Sequence, residues 1–305
     1  MSGGSSRRGF LRDLGVATRD ARRVGAAGRD AFAEAEAALL SGTLEEAAPA
    51  VARPAGALAD EELERYSRQL VLPQWGEKAQ LALRGSSVLV VGTGALGSPV
   101  ALYLAGAGAG RVGVVDGDEV ELSNLHRQLL HFTPDLGVGK AHSAKAKLGF
   151  LNPEVEVVAY EVRLDEGNAA GILEGHDLVI DCSDSFETRY AVNAACCAER
   201  TQLVEGGVLG LSGLVMAIRP GESACYRCAF PAAPPAGAQP TCAQAGVLGP
   251  AAGVVGSLQA LEGLKLLTGL AAPVTDAFVQ VELSDLSLTT VRVARRPDCP
   301  NCGLL

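Results

Sequence analysis

The sequence lacks a long apolar run and any excess of positive charge. No stretch of about 18 consecutive apolar residues occurs, so we expect no membrane-spanning helix. The chain carries 26 basic and 35 acidic residues, a net charge of −9, which argues against a general nucleic-acid-binding role. Residues Ser6–Arg12 imitate a twin-arginine export signal, but the apolar core of such a signal is missing. We therefore expect a cytoplasmic protein.

With 305 residues, 48% of them apolar, the chain is long enough for one large domain or two small ones. Residues 1–57 are rich in Ala and Arg, with an amphipathic helix predicted over Asp30–Leu40 and a Pro/Ala linker at Pro49–Ala57. We interpret them as a separate N-terminal extension, either a partly disordered leader or a docking segment for a partner. Residues 58–305 then form the main domain.

The stretch from Ser86 to Asp116 has the pattern of a strand–helix–strand unit that binds a nucleotide. An apolar run leads into the turn Gly92-Thr93-Gly94-Ala95-Leu96-Gly97, whose glycines let the backbone bend sharply and approach phosphates. A helix beginning near Ala95 points its free N–H groups at them. Asp116 ends the second apolar run, where a carboxylate can accept hydrogen bonds from ribose hydroxyls. The alternative is a glycine turn used only for close helix–strand packing.

Apolar runs continue to alternate with helix-length segments, which predicts a mainly parallel, Rossmann-like sheet covered by helices, with an antiparallel extension at the C-terminal end. In the last helix, Gly253 and Gly256 allow a close helix neighbour. The predicted helices are Asp60–Leu70, Gln74–Leu83, Lys140–Phe150, Asp184–Arg200 and Pro250–Leu267, and the later strands are Val155–Tyr160, Asp177–Asp181, Gln202–Glu205, Leu214–Arg219, Ala277–Leu283 and Leu286–Val293.

Polar residues follow the ends of two predicted strands, where an open α/β sheet forms its ligand crevice. The loop after the second strand supplies Asn124, Arg127 and Gln128, and the next helix opens with Lys140. The fourth strand ends in Asp181-Cys182-Ser183-Asp184, which offers a carboxylate for Mg²⁺. Basic groups for phosphates beside an oxygen ligand for Mg²⁺ suit a nucleoside triphosphate better than a dinucleotide.

Four of the eight cysteines form two C-x-x-C pairs, Cys225 with Cys228 and Cys299 with Cys302. In a chain with no export signal, such pairs favour a metal over disulfides. Each pair can present two thiolates to one tetrahedral ion, so we predict a structural zinc site that ties the C-terminus to the body of the protein. A redox pair is the alternative. The remaining strand and helix cysteines are expected to be buried: Cys182, Cys196 and Cys197.

These motifs together resemble the MoeB/ThiF family, relatives of the ubiquitin-activating enzymes. The resemblance runs from about residue 60 to residue 303 and is closer to the molybdopterin-synthase adenylyltransferase branch, because Cys225–Cys228 and Thr241-Cys242 fit that pattern. It rests on Arg65–Gln69, Gly92–Gly97, Asp116, Leu122–Gln128, Lys140, Asp181–Asp184 and the two cysteine pairs. It implies ATP-dependent adenylation of the C-terminal Gly-Gly carboxylate of a ubiquitin-like sulfur-carrier protein, with release of pyrophosphate, in sulfur transfer for cofactor or metabolite biosynthesis.

The resemblance also implies residue roles. Asp116 would bind the ribose and Asp184 would hold Mg²⁺. Arg68 would reach the triphosphate of the other subunit in a homodimer, and Cys242 occupies the position proposed for a thioester or persulfide role. The implied phosphate-binding residues are Asn124, Arg127 and Lys140, and the full implied ATP-binding set is Gly92, Gly94, Ala95, Gly97, Asp116, Ser123, Asn124, Leu125, His126, Arg127, Lys140, Asp184 and Ser185.

Some positions depart from the family pattern or lie outside its chemistry. Ser185 stands where the family often has Asn, which removes one side-chain contact to the nucleotide. Cys242 follows a Pro-rich loop, so the alternative is that it is an ordinary thiol on a mobile loop. His126 and His131 are expected to be structural. No rhodanese-like domain follows residue 305, so we expect a separate protein to donate sulfur.

Two other classes of function share part of this pattern. An NAD-dependent oxidoreductase has the same glycine turn but gives no reason for Arg127, Lys140 and Asp184. A non-catalytic scaffold that binds a ubiquitin-like protein would not need the phosphate-binding residues. Which sulfur carrier is served stays open at this point.

Overall fold

The computed structural model describes residues 56–234 and 246–305. The predicted helix over Asp30–Leu40, most of the Pro49–Ala57 linker, and Cys242 lie outside the described residues. None of the helices in the described part of the chain is long and apolar enough to cross a membrane.

The described strands are β1 (Ser87–Val91), β2 (Arg111–Val115), β3 (Glu156–Tyr160), β4 (Leu178–Asp181), β5 (Gln202–Leu209), β6 (Ser212–Ile218), β7 (Ala277–Glu282) and β8 (Ser287–Arg292). The α-helices are α1 (Asp60–Arg65), α2 (Ser67–Leu70), α3 (Gly76–Arg84), α4 (Gly97–Ala107), α5 (Lys140–Leu151), α6 (Ala169–Leu173), α7 (Phe186–Glu199), α8 (Tyr226–Ala229) and α9 (Gly249–Thr268). Two 3₁₀ turns, Leu122–Asn124 and Thr133–Asp135, lie between β2 and α5.

All eight described strands form one sheet in the order β3-β2-β1-β4-β5-β6-β7-β8. The pairs from β3 through β5 are parallel, and those from β5 through β8 are antiparallel. The predicted mainly parallel sheet with an antiparallel C-terminal extension is therefore confirmed. The strand order reverses direction between β1 and β4, which is the point where such a sheet opens its ligand crevice.

Two apolar clusters cover the two faces of the sheet. Within β1, Val88 and Val90 belong to the cluster under α4, α5 and α9, whereas Leu89 and Val91 belong to the cluster under α7. A strand buried on both faces needs a continuous apolar run, and the sequence of β1 provides one. By contrast, the outermost strand β8 is mostly exposed.

The main differences between the predicted and the observed elements are a divided helix, a longer strand and two short helices. The helix predicted over Asp60–Leu70 is two helices, because Tyr66 takes a φ of −96° and a ψ of 8° while its ring is buried. Strand β5 extends to Leu209, since its pairing with β6 runs as far as Leu209 and Ser212. The short helices α6 and α8 were not predicted, because segments of this length carry little periodic signal.

The two glycines predicted to permit close helix packing in α9 behave differently. A Cβ at Gly256 would lie 2.6 Å from the carbonyl oxygen of Leu96, whereas a Cβ at Gly253 would have no neighbour within 4 Å. Gly256 thus lets α9 contact the end of the glycine turn, and the prediction is wrong for Gly253. This contact places α9 directly behind the glycine turn.

Substitution of these two glycines with alanine should have opposite effects on stability. We expect Gly256→Ala to lower the free energy of unfolding by about 1–3 kcal/mol, because backbone must move to admit the methyl group. Gly253→Ala should raise it by about 0.5–1 kcal/mol, because alanine favours a helix and the space is open. Urea denaturation measures both. Equal changes in the two variants would contradict this packing.

Candidate nucleotide-binding site

The turn between β1 and α4 can be built only with glycine at two positions. Gly92 has a φ of 86°, in the left-handed region, and a Cβ at Gly97 would lie 1.8 Å from the carbonyl oxygen of Gly92. The helix begins at Gly97, slightly after the predicted start near Ala95, and no side chain caps its N-terminus. A helix end with uncapped N–H groups is suited to a phosphate.

Asp116 is bound to this turn by two hydrogen bonds from Thr93. The backbone N–H and the hydroxyl of Thr93 donate to Oδ2 of Asp116 at 2.8 and 2.9 Å. The N–H of Asp118 donates to Oδ1 at 3.0 Å. The predicted ribose-binding carboxylate is therefore held in a fixed orientation beside the glycine turn, and its half-buried position leaves it open to a ligand.

The loop after β2 folds into the 3₁₀ turn that was not predicted. Asn124 is buried there, and its amide donates to the hydroxyl of exposed Ser123 at 3.3 Å. Arg127 donates from Nη1 to the carbonyl of Ser123 at 2.8 Å and lies 2.8 Å from Nε2 of His126. Local backbone and side-chain contacts thus orient Arg127, with half-buried Leu125 inside the turn.

Lys140 is the buried cation of the site. Its side chain is 7% exposed, and its Nζ lies 3.1 Å from Oδ2 of Asp118. Asp118 also accepts from Arg163 at 3.1 Å. Partial burial acts to raise the pKa of Asp118, but the hydrogen bonds and positive charges of Lys140 and Arg163 outweigh it and lower the pKa. An ammonium group this deeply buried requires an anionic partner, which Asp118 provides and a phosphate could replace.

The end of β4 contributes the other side of the crevice. Asp184 is exposed, and its carboxylate has no hydrogen bond or ion pair with any residue that the structure describes. A Cβ at Gly92 would lie 3.1 Å from the carbonyl oxygen of Cys182, so this strand end touches the glycine turn. The hydroxyl of Ser185 accepts from the N–H of Thr188 at 3.4 Å and thereby caps α7.

A cluster of buried charged residues lies behind the segment that carries Asp184. The sequence did not predict this cluster. Asp181 and Glu205 are neighbours across β4 and β5, and both are fully buried. Burial raises the pKa of each carboxyl group. The positive charge of Arg189 acts on both carboxyl groups, and its guanidinium donates to the carbonyl of Ser183 at 2.8 Å. This bond fixes the backbone that carries Asp184.

Arg68 is not brought into this crevice within one chain. It lies on α2 and is exposed, and its side chain makes no hydrogen bond or ion pair in residues 56–234 and 246–305. This position is compatible with a role toward another subunit. Cys242 lies outside the described residues, so its predicted role stays a prediction.

The four paired cysteines converge as predicted. The Sγ atoms of Cys225 and Cys228 are 4.0 Å apart, those of Cys225 and Cys299 are 3.6 Å apart, and those of Cys228 and Cys302 are 3.4 Å apart. All four are buried and lie within 4.8 Å of one another. A tetrahedral zinc ion with four sulfur ligands has S–S edges of about 3.8 Å, so the set fits zinc.

Hydrogen-bond donors reach sulfurs of the cluster, although the contact with Cys197 raises the pKa of Cys225 and burial raises the pKa of Cys228 and Cys302. The backbone N–H of Arg296 donates to Sγ of Cys228 at 3.4 Å, and the amide of Asn193 donates to Sγ of Cys225 at 3.8 Å. Burial acts to raise the pKa of Cys299, but hydrogen bonds from the backbone of Cys302 and Asn301 outweigh it and lower the pKa to about 7. The other three described cysteines, Cys182, Cys196 and Cys197, are buried as predicted.

The glycine turn, Asp116 and the basic and acidic groups at the strand ends define a nucleotide-binding α/β protein. Comparison with known proteins shows to which family of this class the chain belongs. The ThiF family model matches residues 66–301. The chain therefore belongs to the ThiF family, as the motif resemblance predicted.

Among its relatives, the chain is 49% identical over 248 residues to a sulfur carrier protein adenylyltransferase of Thermus thermophilus, covering 80% of this chain and 92% of the relative. It is 42% identical over 247 residues to the adenylyltransferase and sulfurtransferase MOCS3 of Drosophila yakuba, covering 81% of this chain and 54% of the relative. The chain thus spans about half the length of the MOCS3 protein.

Solved structures share the fold at low identity. Escherichia coli MccB with MccA-N7isoASN has a TM-score of 0.71 at 21% identity and covers 79% of this chain and 74% of that chain. MccB with ATP has a TM-score of 0.68 at 18% identity, covering 82% and 83%. These likenesses establish the fold alone.

Proposed function

We propose that this protein is an ATP-dependent adenylyltransferase that acts on the C-terminal Gly-Gly carboxylate of a ubiquitin-like sulfur-carrier protein. The observation that carries the proposal is the convergence of the glycine turn, Asp116, Arg127, Lys140 and Asp184 at one end of the parallel strands. The Thermus relative, which matches most of both chains, is named a sulfur carrier protein adenylyltransferase. The fold, the site and the relatives agree on this activity.

The proposed chemistry needs few reacting groups from the protein. A carboxylate oxygen of the carrier attacks the α-phosphorus of ATP, the bond from that phosphorus to the β-phosphate oxygen breaks, and pyrophosphate leaves. Because the nucleophile is already ionised, no general base is required. The enzyme must align the carboxylate in line with the leaving group and offset negative charge. This explains a nucleotidyl-transfer site built from positioned cations.

Each side chain has a role that its surroundings permit. Asp116 binds the ribose, Asn124, Arg127 and Lys140 hold the phosphates, and the glycine turn approaches the triphosphate through its backbone. When a phosphate arrives, Lys140 exchanges its contact with Asp118 for the more strongly charged ligand. Asp184 is an exposed oxygen ligand with no partner among the described residues, which fits Mg²⁺. A bound Mg²⁺ would supply positive charge opposite the departing pyrophosphate.

The two alternative functions, an oxidoreductase and a non-catalytic scaffold, account for fewer of the residues in the site. An oxidoreductase that uses NAD needs neither the buried Lys140 nor an unpaired Asp184 beside the glycine turn. A scaffold that only binds a carrier would have no use for the Thr93–Asp116 contact. Calorimetric titration with ATP and Mg²⁺, and separately with NAD, distinguishes the first alternative, since the adenylyltransferase binds only the former tightly.

ATP–pyrophosphate exchange should depend on a carrier that ends in Gly-Gly. We expect exchange with a cognate carrier and at least a hundredfold less with the same carrier lacking its two terminal glycines, because the attacking carboxylate is then out of reach. Incorporation of labelled pyrophosphate into ATP measures this. Lys140→Ala should lose exchange while keeping its fold. Exchange independent of every carrier tested would contradict the proposal.

The site is completed by a second copy of the chain, with Arg68 contributed in trans. Arg68 is exposed and unpaired among the described residues, yet it adjoins Gln69, which lines an apolar groove of about 420 Å³ between α2, α4 and α9. Tyr103 on α4 is 58% exposed and Leu261 on α9 is 42% exposed beside it. A homodimer would cover this apolar surface and bring Arg68 to the partner's triphosphate.

Mixing two inactive variants should restore activity if Arg68 acts in trans. Arg68→Ala and Lys140→Ala each lack one required cation at both sites of their homodimers. After subunit exchange in equal amounts, half of the dimers are mixed and each has one intact site, so about a quarter of wild-type exchange should return. Mixtures that stay inactive although mass spectrometry shows mixed dimers would exclude the trans arginine.

We also propose a structural zinc ion at Cys225, Cys228, Cys299 and Cys302. The four sulfurs are buried at the spacing of a tetrahedral site, and all coordination positions are filled, so the ion has no place in the chemistry. It would fasten the segment after β8 to α8 on the face of the sheet that α7 covers.

Removal of one zinc ligand should release the ion and destabilise the fold. Cys302→Ala should contain much less than one zinc per chain and should unfold at a lower temperature, because the remaining thiolates no longer complete the site. Cys196→Ala is the matched control, since Cys196 is equally buried but lies outside the four-cysteine set. Elemental analysis and thermal unfolding measure these effects. Full zinc content in Cys302→Ala would contradict the assignment.

The later sulfur step and its partners are proposed only in outline. Cys242 takes the thioester or persulfide role, and a separate protein donates the sulfur. The relative named adenylyltransferase and sulfurtransferase is nearly twice as long as the region matched here, which covers 54% of it. We further propose a cytoplasmic location, in sulfur transfer for cofactor or metabolite biosynthesis.

A further inference from the structure

His131 lies buried between the glycine turn and α5, with 2% of its surface exposed. Its Nε2 is 3.0 Å from the carbonyl oxygen of Thr93, and its Nδ1 is 2.9 Å from the hydroxyl of Ser143. Thr93 is the residue whose N–H and hydroxyl hold Asp116. One ring therefore connects helix α5 to the residue that orients the ribose-binding carboxylate.

The hydrogen-bond partners of His131 determine which ring nitrogen carries the proton. A carbonyl oxygen only accepts, so Nε2 of His131 carries hydrogen and donates to Thr93. Burial lowers the pKa of His131 despite the opposing charges of Asp116 and Asp135. The ring is then neutral at pH 7, and its unprotonated Nδ1 and Oδ2 of Asp135 compete for the single hydroxyl hydrogen of Ser143.

Ser143, the second partner of the His131 ring, contacts Asp135, which forms an ion pair. The hydroxyl of Ser143 lies 3.1 Å from Oδ2 of Asp135, which also accepts from the N–H of Phe132 at 2.7 Å. Lys147, on the same helix as Ser143, forms an ion pair with Asp135. Helix α5 begins with Lys140. The contacts of His131 thus join the glycine turn to the helix that supplies the phosphate-binding lysine.

The hydrogen bond from His131 also determines where the next amide points. In a trans peptide the C=O and the following N–H point in opposite directions. With the Thr93 carbonyl drawn inward to His131, the N–H of Gly94 faces the opposite, open side of the turn, and it has no backbone partner among the described residues. The hydroxyl of Ser98 reaches the same carbonyl only at 3.3 Å and is closer to the carbonyl of Gly94, at 2.7 Å.

We propose that His131 is a positioning residue for nucleotide binding, which rests on the proposed adenylyltransferase function. Its Nε2–H holds the Thr93 peptide so that the Gly94 N–H faces the phosphates and Asp116 faces the ribose before ATP arrives. Without this donor the peptide can rotate, and binding must reorder it. A loss of this kind weakens nucleotide affinity and leaves the chemical step unchanged.

Two substitutions of similar polarity separate positioning from simple packing. The amide nitrogen of glutamine can occupy the place of Nε2, so His131→Gln keeps a donor to Thr93. The amide of asparagine reaches only the place of Nδ1, so His131→Asn keeps a contact with Ser143 and loses the one with Thr93. We expect His131→Asn to raise the KM for ATP about tenfold with kcat within twofold, and His131→Gln to stay within threefold of wild type.

Affinity measured without any carrier makes the test independent of the reaction. Calorimetry with a non-hydrolysable ATP analogue and Mg²⁺ should give the same roughly tenfold weakening for His131→Asn and the same rescue by His131→Gln. Equal affinities in the two variants, or a wild-type KM in His131→Asn, would overturn the positioning role even if both variants unfold at lower temperature. If wild type binds the analogue but never exchanges pyrophosphate, the adenylyltransferase proposal fails, and the two affinities still decide the role of His131.

Discussion

The contact between Gly97 and the carbonyl of Gly92 is the constraint on which the nucleotide site depends. The first turn of α4 comes so close to the end of β1 that a single methyl group at Gly97 would overlap the backbone. That approach leaves the helix end uncapped and open. It also leaves Thr93 between the strand and the helix, where it meets Asp116 and His131. Backbone packing therefore sets the shape of the ligand crevice, and the charged side chains are placed around it.

The groups around the turn are attached to three different parts of the sheet. Asp116 follows β2 and is fixed through Thr93, Lys140 opens α5 and is paired with Asp118, and the backbone before Asp184 is held by Arg189. Asp116, Lys140 and Arg189 are each buried or half-buried, so the polar groups are positioned at little cost when a ligand binds. Preorganised charge of this kind is what a reaction with an already ionised nucleophile requires.

Much of this architecture could be predicted from the sequence because its signals are local. The continuous apolar runs of β1 and β4 predicted a sheet covered on both faces, and the spacing of the cysteine pairs predicted that four thiols would meet. The turn at Tyr66 could not be predicted, since a buried tyrosine within a helical pattern gives no sign of a break. Gly253 and Gly256 look alike in the sequence, and the positions of Leu96 and Pro99 distinguish them.

The supporting polar network was missed for a related reason. Arg189 and Glu205 stand in segments that read as an ordinary helix and strand, and their meeting with Asp181 depends on the pairing of β4 with β5. His131 was expected to be structural, and its contact with Thr93 spans elements far apart in the chain. Long-range partners of single polar residues leave no periodic trace, whereas the residues they support lie in recognisable motifs.

The proposed reaction joins a carboxylate oxygen of the carrier to the α-phosphorus of ATP. A carrier whose C-terminal carboxylate is labelled with heavy oxygen at both positions reports on this bond. If the acyl-adenylate forms and is then cleaved at its carbonyl carbon by hydroxylamine, the released AMP must carry one labelled oxygen, which mass spectrometry detects. AMP released without the label would exclude attack by the carboxylate on the α-phosphorus.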